Sequence, residues 1–375
     1  MRILYLIDKF PKTSETFISN EINELINLGH DIHVLSKKEK KTKILFFIKQ
    51  MISDLIKYPI KTIKTINILV NIRREKEFII ENYLKYKIIR NQGFDSIHTP
   101  FSFPHHIDNI YFLSKALNIP FSLSFKAIDL YKEIHQQEFK KRRKIIKKSR
   151  VILTSSKYNK EHIQKSIINK NIKLIHESID LNFFKPSNKP KNKNQIISIC
   201  RFKEKKGLKY LLKALDILNK KNIKYNLTLI GDGPEKQNYE KLIKLLDIPN
   251  ITFTGTLTSK EIKNYLEKSS IFVLPCIIAK NKDRDILPNV LKEAMAMGLP
   301  VITSNICGIQ ELITNNKSGL LIPPKNPEEL AKAIQKLLKN SKLRRKLGKN
   351  ARKKIQKDFN IKTEVKKLER IFKTK

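Results

Sequence analysis

Two acids, Asp285 and Glu293, lie eight positions apart on either side of Pro288. Proline suits the first turn of a helix, where its missing N–H has no intrahelical partner. A helix is therefore expected to start at or near Pro288, with Asp285 just ahead of it and Glu293 inside it. The N–H groups of Leu287, Asn289 and Val290 then sit at the open helix start. Such an end carries the equivalent of about half a positive charge and binds anions through its free N–H groups. An acid one or two turns along accepts hydrogen bonds from hydroxyls, such as those of a ribose. Together these groups could hold a phosphorylated, hydroxyl-bearing ligand. The alternative is that Asp285 caps the helix and Glu293 is solvated, and spacing alone does not separate the two readings.

The elements that must position these residues follow from the flanking pattern. Ile271 to Leu274 is an apolar run ending at Pro275, as in a buried parallel strand. A polar loop, Ala279 to Asp285, leads to a helix bearing Val290, Leu291, Ala294, Met295 and Met297. Gly298 ends that helix and Val301-Ile302-Thr303 begins another strand. The unit is strand–helix–strand, and open α/β sheets bind ligands at the carboxyl edge of such units.

Further strands are expected at Met1–Asp8, Asp31–Leu35, Phe94–His98, Pro120–Leu123, Val151–Ser156, Lys173–Ile175, Ile196–Cys200, Leu227–Ile230 and Ile251–Gly255. Phe17, Ile18, Ile22, Leu25 and Ile26 recur at helical spacing up to Gly29, with Thr13 and Ser14 as caps or as an anion contact. Helices are expected from Pro327 to about Asn340, from Lys342 to Lys357 and from Ile361 to Phe372. The polar, proline-bearing run Ser187 to Asn194 reads as an interdomain linker. The Gly231-Asp232-Gly233-Pro234 turn lacks the third glycine of a dinucleotide fingerprint.

A chain of 375 residues is long enough for two domains with their own cores. With 40% hydrophobic and 30% charged residues it reads as globular rather than disordered. No run approaches the roughly 18 apolar residues of a spanning helix, and Ile3–Ile7 is too short for a signal-peptide core. Three cysteines outside any metal or redox spacing suggest a reducing compartment, so the expected location is cytoplasmic. The net charge is +42, from 77 basic against 35 acidic residues, which implies attraction to polyanions. Nucleic acid is not expected as a partner, because no recognisable reading module is present. Between Lys37 and Tyr86, apolar clusters alternate with Lys at helical intervals, broken by Pro59. That is the pattern of helices lying on an anionic membrane surface; equally, they could cover the first sheet with their lysines in water.

The segment D-R-D-I-L-P-N-V-L-K-E-A-M-A-M-G-L-P-V-I, residues 283–302, resembles the donor signature of the retaining family 4 glycosyltransferases of the GT-B fold. R-F-K-E-K-K-G, residues 201–207, resembles that family's G-R-L-x-x-x-K-G without its first Gly. Residues 178–184, S-I-D-L-N-F-F, resemble its G-V-D-x-x-x-F, and residues 308–312 its G-I-x-E-L. F-P-K-T-S-E-T-F-I and S-F-K-A-I-D-L-Y are similar to a subset that builds surface polysaccharides such as colanic acid. The resemblance is dense from Ile196 to Lys357 and thin from Lys37 to Phe94.

The resemblance implies two Rossmann-like domains facing a cleft. Residues 1–187 would bind acceptor, 195–357 would bind donor, and 358–375 would form a helix crossing back to the first domain. It implies a metal-independent retaining hexosyltransferase acting on a nucleotide-sugar, which is a substrate, with no separate cofactor. The catalytic set would be Asp285 orienting the sugar, Lys126, and Arg201 with Lys206 on the diphosphate. The donor would also meet Thr256 and Leu257 at its base, Leu287, Asn289 and Val290 at the helix start, and Glu293 at its ribose. Ser14, His98 and Asp129 would lie on the acceptor side. The acceptor would be a glycan, lipid-linked, met at the inner face of the cell membrane by a peripheral protein. Departures from the pattern are Asp285 for Glu, Ile286 for Gly, and Lys126 where the subset has a histidine held to be catalytic. Three alternatives remain: a decayed transferase that binds polyanions or membranes, a nucleotide-sugar epimerase or hydrolase of the same fold, and a metal-dependent GT-A enzyme using the D-x-D of Asp283 and Asp285.

Overall fold

The computed structural model describes residues 1–8, 10, 16–36, 44–72, 76–131, 133–167, 171–187 and 191–374. The Thr13-Ser14 pair and the basic stretch 37–43 lie outside the described residues.

Strands β1 (Arg2–Ile7), β2 (Asp31–Ser36), β3 (Ser96–Thr99), β4 (Phe121–Phe125), β5 (Val151–Thr154) and β6 (Ile172–Leu174) form one sheet. They run parallel in the order β2-β1-β3-β4-β5-β6. A second parallel sheet contains β7 (Gln195–Ile199), β8 (Asn226–Ile230), β9 (Ile251–Gly255), β10 (Ile271–Leu274), β11 (Val301–Ser304) and β12 (Leu320–Ile322), in the order β12-β11-β10-β7-β8-β9. The expected strands are all present, with ends moved by a residue or two. They were readable because both faces are covered: Ile3 to Ile7 in β1 and the whole of β10 are buried. Parallel strands buried on both faces need unbroken apolar runs.

Each sheet reverses its strand order once, between β1 and β3 and between β7 and β10. Ligands of open α/β sheets bind outside the carboxyl ends of the strands at such a point. The two crevices placed to take ligands are therefore those that follow β1/β3 and β7/β10.

The first sheet carries helices α1 (Thr16–Asn27), α2 (Ile44–Lys57), α3 (Pro59–Ile72), α4 (Lys76–Ile89), α5 (Pro104–Leu117), α6 (Ala127–Tyr131), α7 (Glu133–Lys141), α8 (Arg143–Ile146) and α9 (Lys157–Ser166). The second carries α10 (Leu208–Lys220), α11 (Lys236–Leu245), α12 (Ser259–Lys268), α13 (Asn289–Ala296), α14 (Ile309–Leu312), α15 (Pro327–Lys339) and α16 (Ser341–Asp358). The last helix, α17 (Ile361–Lys373), packs on α1, with Val365, Leu368 and Phe372 in one core with Ile18, Ile22 and Leu25. Its return is pinned by Glu364, whose carboxylate accepts the His176 N–H at 2.8 Å. That is the crossing back that the sequence led us to expect.

Helices α2 to α4 turn one side inward and expose the other. Their inner side packs inward: Leu69 is in the core, and buried Asp54 accepts from Tyr83 Oη at 2.9 Å and pairs with Arg90 and Lys87, both at 3.3 Å. Their outer side leaves Ile56 77% and Ile60 83% exposed at the junction of α2 and α3.

Candidate active site

Strand β7 delivers Arg201 to the carboxyl edge, and a single 3-10 turn, Glu204–Lys206, follows. Phe202 is fully buried, edge-on to Tyr239 and Phe253, and anchors this loop; truncating such a ring costs about 3–5 kcal/mol. Gly207 ends the turn at φ +67°, and a Cβ there would lie 1.9 Å from the Pro275 carbonyl oxygen. Only glycine lets the loop close against the end of β10 in this way. The result places Lys206 Nζ 2.5 Å from Asp285 Oδ2, and Lys205 Nζ 3.2 Å from Asp285 and 3.0 Å from Asp283. Burial alone would favour the neutral acid, yet Lys206 and Lys205 hold the Asp285 carboxyl down at about 2. Burial works against the Lys206 ammonium, but Asp285 raises it well above its ordinary value. The site thus keeps a buried, charged, mutually neutralised lysine–aspartate cluster. Arg201 is exposed and its guanidinium has no partner among the described residues.

Helix α13 begins one residue after Pro288, which occupies the capping position. The N–H groups of Leu291 and Lys292 return to the Pro288 carbonyl at 3.1 and 3.4 Å. Those of Leu287, Asn289 and Val290 have no acceptor among the described residues. The Asn289 side chain does have one, donating to Glu177 Oε2 at 3.2 Å. Glu293 makes no side-chain hydrogen bond among the described residues, and burial pushes its carboxyl up to about 7 despite neighbouring Lys292. Ile286, where glycine was expected from the resemblance, is buried against Gly308, where a Cβ would lie 2.8 Å from Ile286 Cγ2. Thr256, exposed, and Leu257, half-buried, follow directly on β9 at the same sheet edge.

Opposite, Lys126 follows β4 and pairs with Glu177 Oε1 at 3.1 Å, its Nζ 5.3 Å from the centre of the Phe17 ring. The two line a small crevice with Glu21, Ser124, Thr154 and His176. Lys292 is fully buried and donates to the Glu177 carbonyl at 2.6 Å, and burial pushes its ammonium down to about 8. Burial would raise Glu177, but Lys126 and Lys292 hold it below its ordinary value. Glu311 crosses the molecule as well, accepting the N–H groups of Lys157 at 2.7 Å and Tyr158 at 2.9 Å at the start of α9. Arg284 lies 4.8 Å over the Tyr131 ring.

Two groups of residues singled out in the sequence come together, Lys206 with Asp285 and Lys126 with the start of α13. Two others do not reach the cleft surface. Asp129 is buried, accepting the N–H groups of Lys126 at 3.0 Å and Ser102 at 3.2 Å, and burial pushes it up to about 7. Its carboxylate thus holds the backbone at Lys126. His98 lies behind Ser124, between Ser122 at 2.8 Å and Ser124 at 3.3 Å, and burial pushes it down to about 3. It is a neutral member of the core, one layer from the crevice. Ser14 lies outside the described residues. Sequence reasoning missed Glu177, Lys292, Lys205 and Glu311 as site members, and weighed Asp283 only as a metal ligand. Glu177 is joined to partners at positions 126, 289 and 292, a distance along the chain over which no spacing rule operates.

Residues 180–354 match the family model described as glycosyl transferases group 1. The chain is also 24% identical to the putative colanic acid biosynthesis glycosyltransferase WcaL of Escherichia coli K12, over 96% of each protein. This segment, residues 180–354, belongs to the group 1 glycosyl transferases. This transferase is 37% identical, over 38% of its length, to the amylovoran biosynthesis glycosyltransferase AmsK of Erwinia amylovora, of which the match spans 35%. Its structure superposes on Anabaena HepE, solved with UDP and glucose, with a TM-score of 0.74 over the whole of both chains at 15% identity. The fold is GT-B, with two six-stranded Rossmann-like sheets, and this sets aside the GT-A alternative. As a family member it transfers glycosyl groups from a nucleotide-sugar. No described helix is long and apolar enough to cross a membrane.

Proposed function

We propose that this transferase moves a sugar from a UDP-sugar, with retention of configuration, to a lipid-linked glycan acceptor in surface-polysaccharide synthesis. The observation that carries the donor half is Arg201, without a side-chain partner among the described residues, at the same β7/β10 switch point as the open start of α13 and the Lys206–Asp285 cluster. Arg201 offers a planar fork to a diphosphate and the helix start offers free N–H groups. Lys206 is already ionised, and it can turn from Asp285 to the leaving diphosphate while Asp285 turns to a sugar hydroxyl. Glu293, desolvated and without a side-chain hydrogen bond among the described residues, is fitted to accept ribose hydroxyls. Thr256 and Leu257 would face the base. These groups would stabilise charge that develops on the departing diphosphate, which is the largest demand of the reaction. The UDP choice is supported by the UDP and glucose held in the HepE structure, and the polysaccharide pathway by the names of WcaL and AmsK. We take residues 195–357 as the donor unit, 1–187 as the acceptor unit and 358–375 as the returning helix. Peripheral attachment to the inner membrane face through α2 and α3 belongs to the same proposal.

A second reading is a decayed transferase that only binds, and it rests on Lys126 being paired to Glu177 where the subset has a histidine. Calorimetric titration with UDP- and GDP-sugars, followed by mass detection of released UDP, tests both. Micromolar binding with turnover supports transfer. Binding without any turnover in the presence of isolated lipid-linked glycans supports the second reading, and absence of all nucleotide-sugar binding overturns the first.

A further inference from the structure

The other switch point, β1/β3, holds a cluster that plays no part in the donor site. Asp8 follows β1, while His105 and His106 lie in the first turn of α5, the helix after β3. Their ligand atoms all lie within 4.8 Å of one another. His105 Nε2 is 2.9 and 3.0 Å from the two Asp8 oxygens, and His106 Nε2 is 2.9 Å from Oδ1.

The His106 ring is buried and its Nδ1 lies 2.8 Å from the Phe101 carbonyl, to which it must donate. This fixes the tautomer of the neutral ring and leaves Nε2 as a lone pair aimed at the cluster. Among the described residues that nitrogen forms no hydrogen bond, although it lies 2.9 Å from Asp8. A lone pair and a carboxylate oxygen 2.9 Å apart repel unless a cation or a proton lies between them. His105 is oriented too, stacked on Phe103 at 6.1 Å and 5°.

We propose that Asp8, His105 and His106 bind a divalent transition-metal ion, zinc by preference, at the β1/β3 edge. Two imidazoles and one carboxylate form a borderline-soft set suited to zinc and neighbouring metals rather than to calcium or magnesium. Ligands 2.0–2.1 Å from a tetrahedral zinc lie about 3.3 Å apart, so the present 2.9–4.8 Å spread needs shifts of only a few tenths of an ångström to somewhat more than one. The Phe101 carbonyl already holds the His106 ring in the orientation a metal needs. With three protein ligands, a further coordination position stays open to solvent on the exposed side of Asp8 and His105. The site lies at one end of a row of rings, Phe103, Phe101 and Phe17, that ends under Lys126. The bound ion would tie the end of β1 to the start of α5 and add positive charge on the acceptor side of the cleft.

The test is titration of chelator-stripped full-length protein with zinc by calorimetry and with cobalt by visible absorption. One equivalent is expected with a dissociation constant of micromolar or below and a cobalt ligand-field band. Asp8→Asn and His105→Asn, both on half-exposed side chains, should each weaken binding at least tenfold, with the fold checked by circular dichroism. UDP titration on the same samples reads the donor side separately. Failure to bind zinc, or an equivalent that survives both substitutions, overturns the proposal and leaves a proton between His106 and Asp8.

Discussion

At the scale of single residues, the unpaired members of the cleft are the informative ones. Arg201 and Glu293 lack side-chain partners among the described residues, whereas Asp285, Lys206 and Lys126 are each paired already. An ion pair can satisfy itself, so its presence is weaker evidence for a ligand than a desolvated acid with nothing to accept. Arg201→Ala should weaken UDP and free pyrophosphate alike, by roughly ten- to a hundredfold, the worth of one charged hydrogen bond at about 1.5–3 kcal/mol. Glu293→Gln should weaken UDP and leave pyrophosphate unchanged, and equal losses of pyrophosphate affinity in both variants would contradict these two roles. The pH dependence follows from the same residue. Burial raises the Glu293 carboxyl to about 7, above its ordinary value of about 4.3, so the free protein carries it protonated in acid and ionised in mild alkali. Ribose hydroxyls need the ionised form as acceptor. The ratio of UDP to pyrophosphate affinity should therefore rise from pH 6 to 8 by up to tenfold per unit below the midpoint, and be flat in Glu293→Gln.

At the scale of elements, α2 and α3 present a testable face. Ile56 and Ile60 are 77% and 83% exposed at the proline junction, with exposed Lys57, Lys61 and Lys64 around them. Apolar tips ringed by lysines match an anionic bilayer interface, where each lysine contributes about 1 kcal/mol. Vesicle co-sedimentation should require anionic lipid and fade with added salt, as the Debye length falls below about 8 Å. The Ile56→Glu, Ile60→Glu double variant should lose binding while keeping its melting temperature, since neither side chain is packed. Equal binding to neutral vesicles, or undiminished binding by the double variant, would rule out this face as a membrane contact. Much of the element scale was readable from the chain itself. Unbroken runs such as Ile271–Leu274 announce strands, Pro288 and Gly298 bracket α13, and apolar spacing gives α17. What was not readable is which lysines are buried. Lys292 sits in a helix of a chain with 77 basic residues, and nothing in its neighbours distinguishes it from a solvated one, yet it is fully buried under Glu177.

At the scale of the whole molecule, Glu177 of the first half takes Lys126 of the same half and Asn289 of the second on its carboxylate, and Lys292 of the second on its carbonyl. None of these links could be deduced from spacing, because the first exists only once the first half is folded and the other two only once the halves face one another. They give Lys126 two roles to separate, as a support that holds Glu177 toward the second half and as a positive charge beside the reacting sugar. A protonated lysine donates but cannot accept a proton, so it does not replace a neutral imidazole as a base. It can supply charge to a departing phosphate. If charge is what matters, Lys126→Arg should retain turnover of a labelled nucleotide-sugar within about tenfold, and Lys126→Met should lose at least a hundredfold, a difference of about 2.7 kcal/mol in transition-state binding. Small-angle scattering separates the support. If Lys126→Met expands the molecule and Arg restores both compactness and rate, the residue acts through the Glu177 pair. If Met leaves the shape unchanged and still abolishes turnover, the charge acts at the site. Lys126→His restores the arrangement of the surface-polysaccharide subset, and its outcome judges the transferase reading itself. An inactive wild type that gains turnover with this one change would mean that the donor side is intact and the acceptor side has decayed.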